Sequence, residues 1–457
     1  MSSELPQFNK YFAPGNKDIW SLINETAASV SKESGKPVAN LGQGFFSYSP
    51  PQFAIDAAKD AFEIAADNQY APAKGKPILI NALASHYTKK LNRESNPVTP
   101  DEILVTTGAN EAIFTAFFGL LNKNDEVIVF QPFFDQYVPN VEMAGGKVIY
   151  SQLYPPKDFD TRVVDGNEWT IDWDELESLI TEKTKLVLIN TPHNPIGKVF
   201  TKEELTRLGK LAVKHNFIIL SDQVYENLYF NGDEFPRIDN LQLEDKELDF
   251  EIKRRVLTVG SAGKTFAATG WRIGWLFGSK ELIPYCTGAH TRICFSSPAP
   301  IQVAVSRALE FADKEGSAKN IDHPEWTYFE NMRQEYINKY KIIQSVFDEL
   351  NIPYTRAEGA YYLLVNFKNV EIPSHMESQW PEEIKDKARD YKLAYWLIKD
   401  LGVVCIPPSV FYTNDVISKK QRGWEITDCL RISVCKDDSI LIDAAQRLKG
   451  LKPFIKK

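Results

Sequence analysis

KLVLINTPHNPIGKVFTKEELTRLGKLAVKHNFIILSD, residues 185–222, decides the fold. Residues 185–190 and 217–221 are short and almost continuously apolar, the pattern of strands buried on both faces, and residues 202–215 between them read as a helix. Strand, crossover helix and strand make a parallel βαβ unit. The alternation continues outward. A β-rich run at 103–107 ends at Gly108 and precedes a helix-like 111–121, a strand at 126–130 is ended by Pro132, and another run occupies 256–260. The reading is an α/β, doubly wound and mostly parallel sheet sandwiched by helices. Past about residue 310 the character shifts to a long charged helix at 326–350, a strand at 361–365, a polar insertion near 371–390 and a last helix after Asp437. We expect an N-terminal arm over 1–44 with a helical stretch near 19–30, a large domain over 45–310, and a smaller α+β domain over 311–457 that takes in the arm.

The length of 457 residues agrees with two domains, and 43% hydrophobic with 25% charged residues is ordinary globular composition, which excludes collagen-like, coiled-coil and low-complexity chains. No apolar run approaches the length of a membrane span. The net charge of −8, with dispersed Lys and Arg, argues against a nucleic-acid partner. Five cysteines without metal-ligand spacing and six unclustered histidines lead us to expect reduced thiols and no metal site. The first twenty residues have no apolar signal region, so the expected setting is cytoplasmic, or mitochondrial if translation begins upstream.

Open α/β sheets bind ligands at the carboxyl ends of their strands, so the residues that follow each strand are the candidates. Asp222 and Tyr225 follow residue 221, and read as a helix cap with a core tyrosine or as a site acid with a phenol. Asn194 is presented by a loop fixed by Pro192, Pro195 and Gly197. Lys264, in the loop Ser261-Ala262-Gly263-Lys264, is a surface charge, a phosphate ligand or a Schiff-base nucleophile. Arg272, eight residues on and flanked by Gly270 and Gly274, favours a ligand-facing role. Gly108-Ala109-Asn110 opens a helix whose free N–H groups can hold a phosphate, and Phe133 and Phe134 offer an aromatic face.

Taken together and in this order, Gly108-Ala109-Asn110, Phe134, Asn194, Asp222 with Tyr225, Ser261-x-x-Lys264 and Arg272 resemble the pyridoxal 5′-phosphate-dependent class I/II aminotransferases of fold type I, over about residues 43–436. LGQGF (41–45), PFFDQY (132–137), NTPHNPIGKVF (190–200) and GSAGKTFAATGWRIGW (260–275) resemble one branch, the kynurenine aminotransferases with glutamine transaminase K and cysteine-conjugate β-lyase, and within it the yeast-type kynurenine aminotransferases. The resemblance implies pyridoxal 5′-phosphate as cofactor. Lys264 would be the Schiff-base lysine and proton carrier, Asp222 the partner of the pyridine nitrogen, and Tyr225 and Asn194 the partners of the 3′-oxygen. Gly108, Ala109, Asn110, Ser261 and Arg272 would meet the phosphate and Phe134 would stack on the ring. Arg431, in LRISVCK (430–436), matches the arginine that takes the substrate α-carboxylate, and Gly44, Trp20, Phe295 and Asn194 match substrate-pocket positions. Tyr70 matches a residue that reaches the partner subunit's phosphate, implying a homodimer with shared sites. The implied reaction moves the amino group of L-kynurenine, or a related aromatic amino acid, to a 2-oxo acid such as 2-oxoglutarate, and kynurenic acid forms by ring closure.

The chain also departs from that pattern. Ser296 stands where mammalian relatives carry histidine, Asn110 replaces an aromatic residue, and Gln131 and Gln223 replace glutamates near the cofactor. We expect activity to survive these changes. A cysteine-S-conjugate β-lyase, or a transaminase for glutamine or methionine, would share every cofactor residue. A ligand-sensing regulator would need a DNA-binding module, which residues 1–44, short and without an excess of basic residues, do not supply.

Overall fold

The computed structural model describes residues 5, 8–12, 19–232, 234–417 and 425–456. Its central sheet has eight strands, in the spatial order Ile103–Thr106, Gly274–Gly278, Val256–Ser261, Ile218–Asp222, Thr184–Asn190, Glu126–Gln131, Lys147–Tyr154 and Thr170–Ile171. The run from Val256–Ser261 to Lys147–Tyr154 is parallel throughout, as expected for strands without a polar face. Gly274–Gly278 runs antiparallel to both of its neighbours, so the sheet is mixed. The sequence hides this strand because its glycines read as loop. They are there for close packing: a Cβ on Gly274 would lie 2.7 Å from Ala109 N, and one on Gly278 would lie 2.5 Å from Val256 O.

The crossover helix forms at Lys202–His215 as expected. Thr201 and Glu204 close a reciprocal capping box at its start, and Asn216, at φ 56°, ends it in the left-handed region. Its inner face buries Leu205, Leu208, Leu211 and Ala212 against the sheet. The long helix also forms, as Tyr328–Leu350, with the same device at Thr327 and Glu330.

The second sheet has four strands, ordered Cys429–Ser433, Tyr362–Asn366, Tyr354–Arg356 and Val164–Asp165, and the last of these comes from the large half of the chain. The strand Ala39–Asn40 pairs with Val403–Val404, so the end of the N-terminal arm joins the C-terminal third. The expected boundary at 310 falls inside the helix Ala299–Ala312. Both halves feed one core, in which Val127, Leu186 and Leu220 of the large sheet cluster with Leu363, Val365 and Leu430 of the small one. The polar insertion folds as short helical turns at Ser374–Gln379 and Glu382–Lys385. Among the described residues no helix is long and apolar enough to cross a membrane, and all five cysteines are free thiols.

Trp169 joins the halves. It is fully buried, and its Nε1 donates to Thr355 Oγ1 at 3.1 Å. Replacing it with alanine opens a large cavity, and we expect a stability loss of about 3–5 kcal/mol, against about 1 kcal/mol for Thr355→Val. Urea unfolding checks this; an unchanged midpoint for Trp169→Ala would refute the assignment.

Candidate active site

A cavity of about 500 Å³ opens at the carboxyl ends of the parallel strands. Register brings its floor together. Asn190 lies beside Asp222 on adjacent strands, and Ser261 lies beside Gly274 on the next pair. The cavity wall includes Trp20, Gly44, Gly108, Ala109, Asn110, Phe134, Asn194, Asp222, Tyr225, Ser261, Lys264, Arg272 and Arg431. Residues far apart in sequence thus meet in one space, and all but Phe295 and Tyr70 of the sequence-expected set are there.

Asp222 ends its strand with 5% exposure. Its Oδ2 accepts from Tyr137 OH at 2.5 Å, and its Oδ1 accepts from Val224 N–H at 3.3 Å. Burial pushes its carboxyl up to about 6; the Tyr137 bond, the Val224 bond and the Lys264 charge pull the other way and offset only part of that. Tyr137 is a site residue that the sequence reading left unassigned, although it closes the PFFDQY motif. The two glutamine departures turn away from the cavity. Gln223 donates to Ser221 Oγ at 2.9 Å, and Gln131 accepts from Thr413 N–H at 2.7 Å.

Lys264 sits on the short helix Ala262–Thr265 that follows Ser261. Its Nζ donates to Tyr361 OH at 2.8 Å, and Tyr361 OH in turn donates to the Gly44 carbonyl at 3.0 Å. The hydroxyls of Tyr225 and Tyr362 lie 3.1 Å apart. Tyr361 and Tyr362 were legible only as strand residues. Gly44 has no room for a side chain, since a Cβ there would lie 2.3 Å from Tyr362 OH.

One end of the cavity suits a phosphate. Gly108, at φ 86°, caps the helix Ala109–Leu120, whose first N–H groups have no partner within the helix. A Cβ on Gly108 would lie 2.6 Å from the Arg272 guanidinium, and one on Gly274 would lie 2.7 Å from Ala109 N. Arg272, itself at φ 55°, is tied to Thr269 O at 3.1 Å and remains exposed beside Ser261. Asn110 accepts from Asn140 Nδ2 at 3.0 Å, so its amide is held laterally.

Another part of the wall suits a carboxylate. Arg431 is 2% exposed; its Nη1 donates to Asn194 Oδ1 at 3.0 Å and its Nη2 to Gly42 O at 2.8 Å, while its buried Nε has no hydrogen-bond partner among the described residues. The rings of Tyr362, Phe411 and Trp20 surround the guanidinium at 4.5, 5.1 and 5.6 Å. Trp20 is held by Asp135, and Phe134 packs edge-on against Tyr137.

Phe295 and Tyr70 are the exceptions. They are 57% and 89% exposed and pack edge-to-face with each other at 5.6 Å, away from the cavity of their own chain. Behind the phosphate-suited helix, Glu111, His290 and Cys294 come within metal-ligating distance of one another, a grouping that sequence spacing did not reveal. Their atoms are already engaged: Glu111 accepts from Thr107 N–H at 2.9 Å and from Thr115 OH, and His290 Nδ1 lies 2.9 Å from Glu111 and 3.5 Å from Cys294 Sγ.

The aminotransferase class I and II family profile matches residues 36–448. The chain belongs to this aminotransferase family. A curated Saccharomyces cerevisiae protein named "Probable kynurenine--oxoglutarate transaminase BNA3" is 52% identical over all of this chain and 97% of its own length. The kynurenine–oxoglutarate transaminase of Dictyostelium discoideum is 34% identical over 90% of each chain. The crystal structure of Bna3p from S. cerevisiae superposes with a TM-score of 0.89 and 51% identity, covering 99% of this chain and all of that one. The Escherichia coli YbdL structure, described as having a methionine aminotransferase function, superposes with a TM-score of 0.77 and 26% identity, covering 98% and all of the two chains. Aminotransferases of this family and fold are pyridoxal 5′-phosphate enzymes, and the donor set of this aminotransferase fits that group: a buried carboxylate, a lysine, an aromatic wall and a cationic helix start kept clear by glycines.

In the cofactor-free protein the folded Asp222 carboxyl lies near 6 against about 3.8 unfolded, so its contribution is fully present below about pH 4, is lost as pH rises to about 6, and is flat above. Relative to Asp222→Asn, wild-type stability is therefore expected to fall by about 3 kcal/mol over that window. A difference that grows more favourable with pH would show the opposite sign. Gly108→Ala is expected to weaken phosphate-group binding at least tenfold, because its φ and the Arg272 contact both oppose a side chain. Titration of the cofactor-free protein with pyridoxal 5′-phosphate measures this.

Proposed function

We propose that this aminotransferase is a homodimer that transfers the amino group of L-kynurenine, or a related aromatic amino acid, to a 2-oxo acid such as 2-oxoglutarate, with pyridoxal 5′-phosphate bound in the 500 Å³ cavity. The observation that carries the reading is one cavity holding a lysine amine, a buried carboxylate and a buried arginine with an unused donor. The kynurenine assignment is supported by the names of the yeast and Dictyostelium relatives and by the aromatic rings of Trp20, Phe45 and Phe134 on the wall.

When bound, the cofactor supplies an electron-withdrawing ring that acidifies the substrate Cα–H and stores the amino group between half-reactions. The remaining work falls to side chains. Arg431 takes the α-carboxylate, and because Asn194 and Gly42 hold its Nη atoms, the guanidinium plane is set before substrate arrives. Asp222 offers its negative charge to a cationic ring nitrogen, and such a partner offsets the burial that otherwise favours its neutral form. Tyr225 stays a neutral phenol, since burial above all, and then Tyr362, push its ionisation well above the usual range, so it can donate to the ring oxygen beside Asn194. Lys264 Nζ carries the proton to and from the substrate Cα. The first N–H groups of the helix after Gly108, with Ser261 and Arg272, hold the phosphate. The exposed Tyr70 and Phe295 pair would serve a second subunit's cavity, which would reconcile their sequence-implied roles with their distance from this one.

Lys264→Ala should abolish turnover and the lysine-dependent visible absorption of the loaded enzyme; retained transamination would sink the mechanism. Arg431→Ala should raise the KM for amino donors about 10- to 100-fold, the loss of charge-assisted hydrogen bonds, with cofactor content unchanged. A half-reaction screen with single amino acids tests the donor. Conversion with glutamine or methionine but not with kynurenine would overturn the substrate, and pyruvate released from a cysteine conjugate without an oxo-acid acceptor would favour the lyase.

A further inference from the structure

Tyr361 is fully buried and is not on the cavity wall, yet it holds the side chain on which the proposed chemistry turns. Residues on a strand alternate between faces, so adjacent tyrosines should point apart. Here the strand Tyr362–Asn366 is entered through Ala360 at φ 65°, a left-handed conformation that non-glycine residues rarely adopt. Tyr361 lies between that turn and the strand, and its ring and that of Tyr362 both pack around Tyr225, with centroids at 5.0 Å for Tyr361 and 5.8 Å for Tyr362. Such strain persists where the surrounding structure over-determines it. Ala360 N–H bonds to Leu228 O at 2.9 Å, and Tyr340 OH donates to Tyr362 O at 2.9 Å.

We propose that Tyr361 is a positioning residue for transamination, accepting a hydrogen bond from the Lys264 amine while giving its own proton to the Gly44 carbonyl. This rests on the transaminase reading above. The direction of the two bonds is the substance of the inference. A phenol has one hydrogen. Because Gly44 O takes it at 3.0 Å, the oxygen can offer Lys264 only lone pairs, and Lys264 must be the donor across the 2.8 Å contact. The nitrogen lone pair of a neutral lysine is then left free to act as base. Were the phenolic proton not engaged, it could bond to that lone pair and block it. The contact also restrains a long side chain with costly rotamer freedom to lose. Tyr361 thus braces the proton-carrying amine at Gly44, whose carbonyl also accepts directly from Lys264 Nζ at a longer 3.5 Å, at the substrate end of the cavity.

Tyr361→Phe keeps the ring contacts with Tyr225, Tyr336 and Phe46 and deletes only the hydroxyl. In the loaded enzyme we expect kcat to fall at least tenfold with the KM for the amino donor changed less than twofold. In the Lys264→Ala background, assayed with methylamine as external base, the same change should matter less than twofold. Equal losses in both backgrounds would mean a general structural role and overturn the proposal, as would no loss in either. A measurement without activity decides independently, including if methylamine restores nothing. In the cofactor-free protein, reductive methylation of Lys264 should run at least threefold faster in Tyr361→Phe, with the exposed Lys280 as an unchanged internal control. An unchanged Lys264 rate would overturn the proposal. Turnover surviving in Lys264→Ala alone would instead defeat the transaminase mechanism itself, so the two failures are distinguishable.

Discussion

A carboxylate buried at the carboxyl end of a central parallel strand is the constraint around which this molecule is organised. Taking Asp222 out of water is unfavourable, and the structure does not neutralise the cost with an adjacent arginine. It supplies a phenol from Tyr137 and a backbone N–H, and burial still pushes the carboxyl up to about 6. A group in that condition favours a positive partner, and the cavity above it is where one would enter.

The ground behind Asp222 is made rigid by charge. Glu226, one residue past Tyr225, is fully enclosed. Burial would raise its carboxyl, but Lys90 and Arg237 outweigh that and hold it down to about 2. Arg237 is shared with Asp239 through two 2.8 Å bonds, and Tyr87 links Glu226 to the Trp275 indole. Replacing one member of such a group strands a charge, whereas the intact group fixes geometry. Its elements are those that carry the site: the loop after Asp222 and the antiparallel strand after Arg272. The same economy appears at Arg431, where Asn194 is both a neighbour of the cavity floor and the clamp on the guanidinium.

What could be read from sequence followed physical rules. Strands buried on both faces leave continuous apolar runs, so 185–190, 217–221 and 256–260 were visible without a structure. Lys147–Tyr154 and Gly274–Gly278 were not, the first because half of it lies at an open margin of the sheet and the second because glycine packing resembles loop chemistry. The loops after the strands held most of the site because ligand-facing residues gather there. The missing members were those set by long-range contact: Tyr137 reaches Asp222 from another strand's loop, and Tyr361 reaches Lys264 from the second sheet, through a left-handed Ala360 that no propensity announces. Phe295 and Tyr70 are a different case: resemblance gave Phe295 a place in the substrate pocket and Tyr70 a reach toward a partner subunit, and within this one chain both lie on the surface, paired with each other.

The most direct test of amino-group transfer in this cavity follows the nitrogen atom. L-kynurenine labelled with 15N at its α-amino group would be incubated with the loaded enzyme and unlabelled 2-oxoglutarate, and the glutamate and free ammonia analysed by mass spectrometry. The account predicts 15N in glutamate in proportion to the kynurenine consumed. Label appearing in ammonia, with 2-oxoglutarate unchanged, would contradict it.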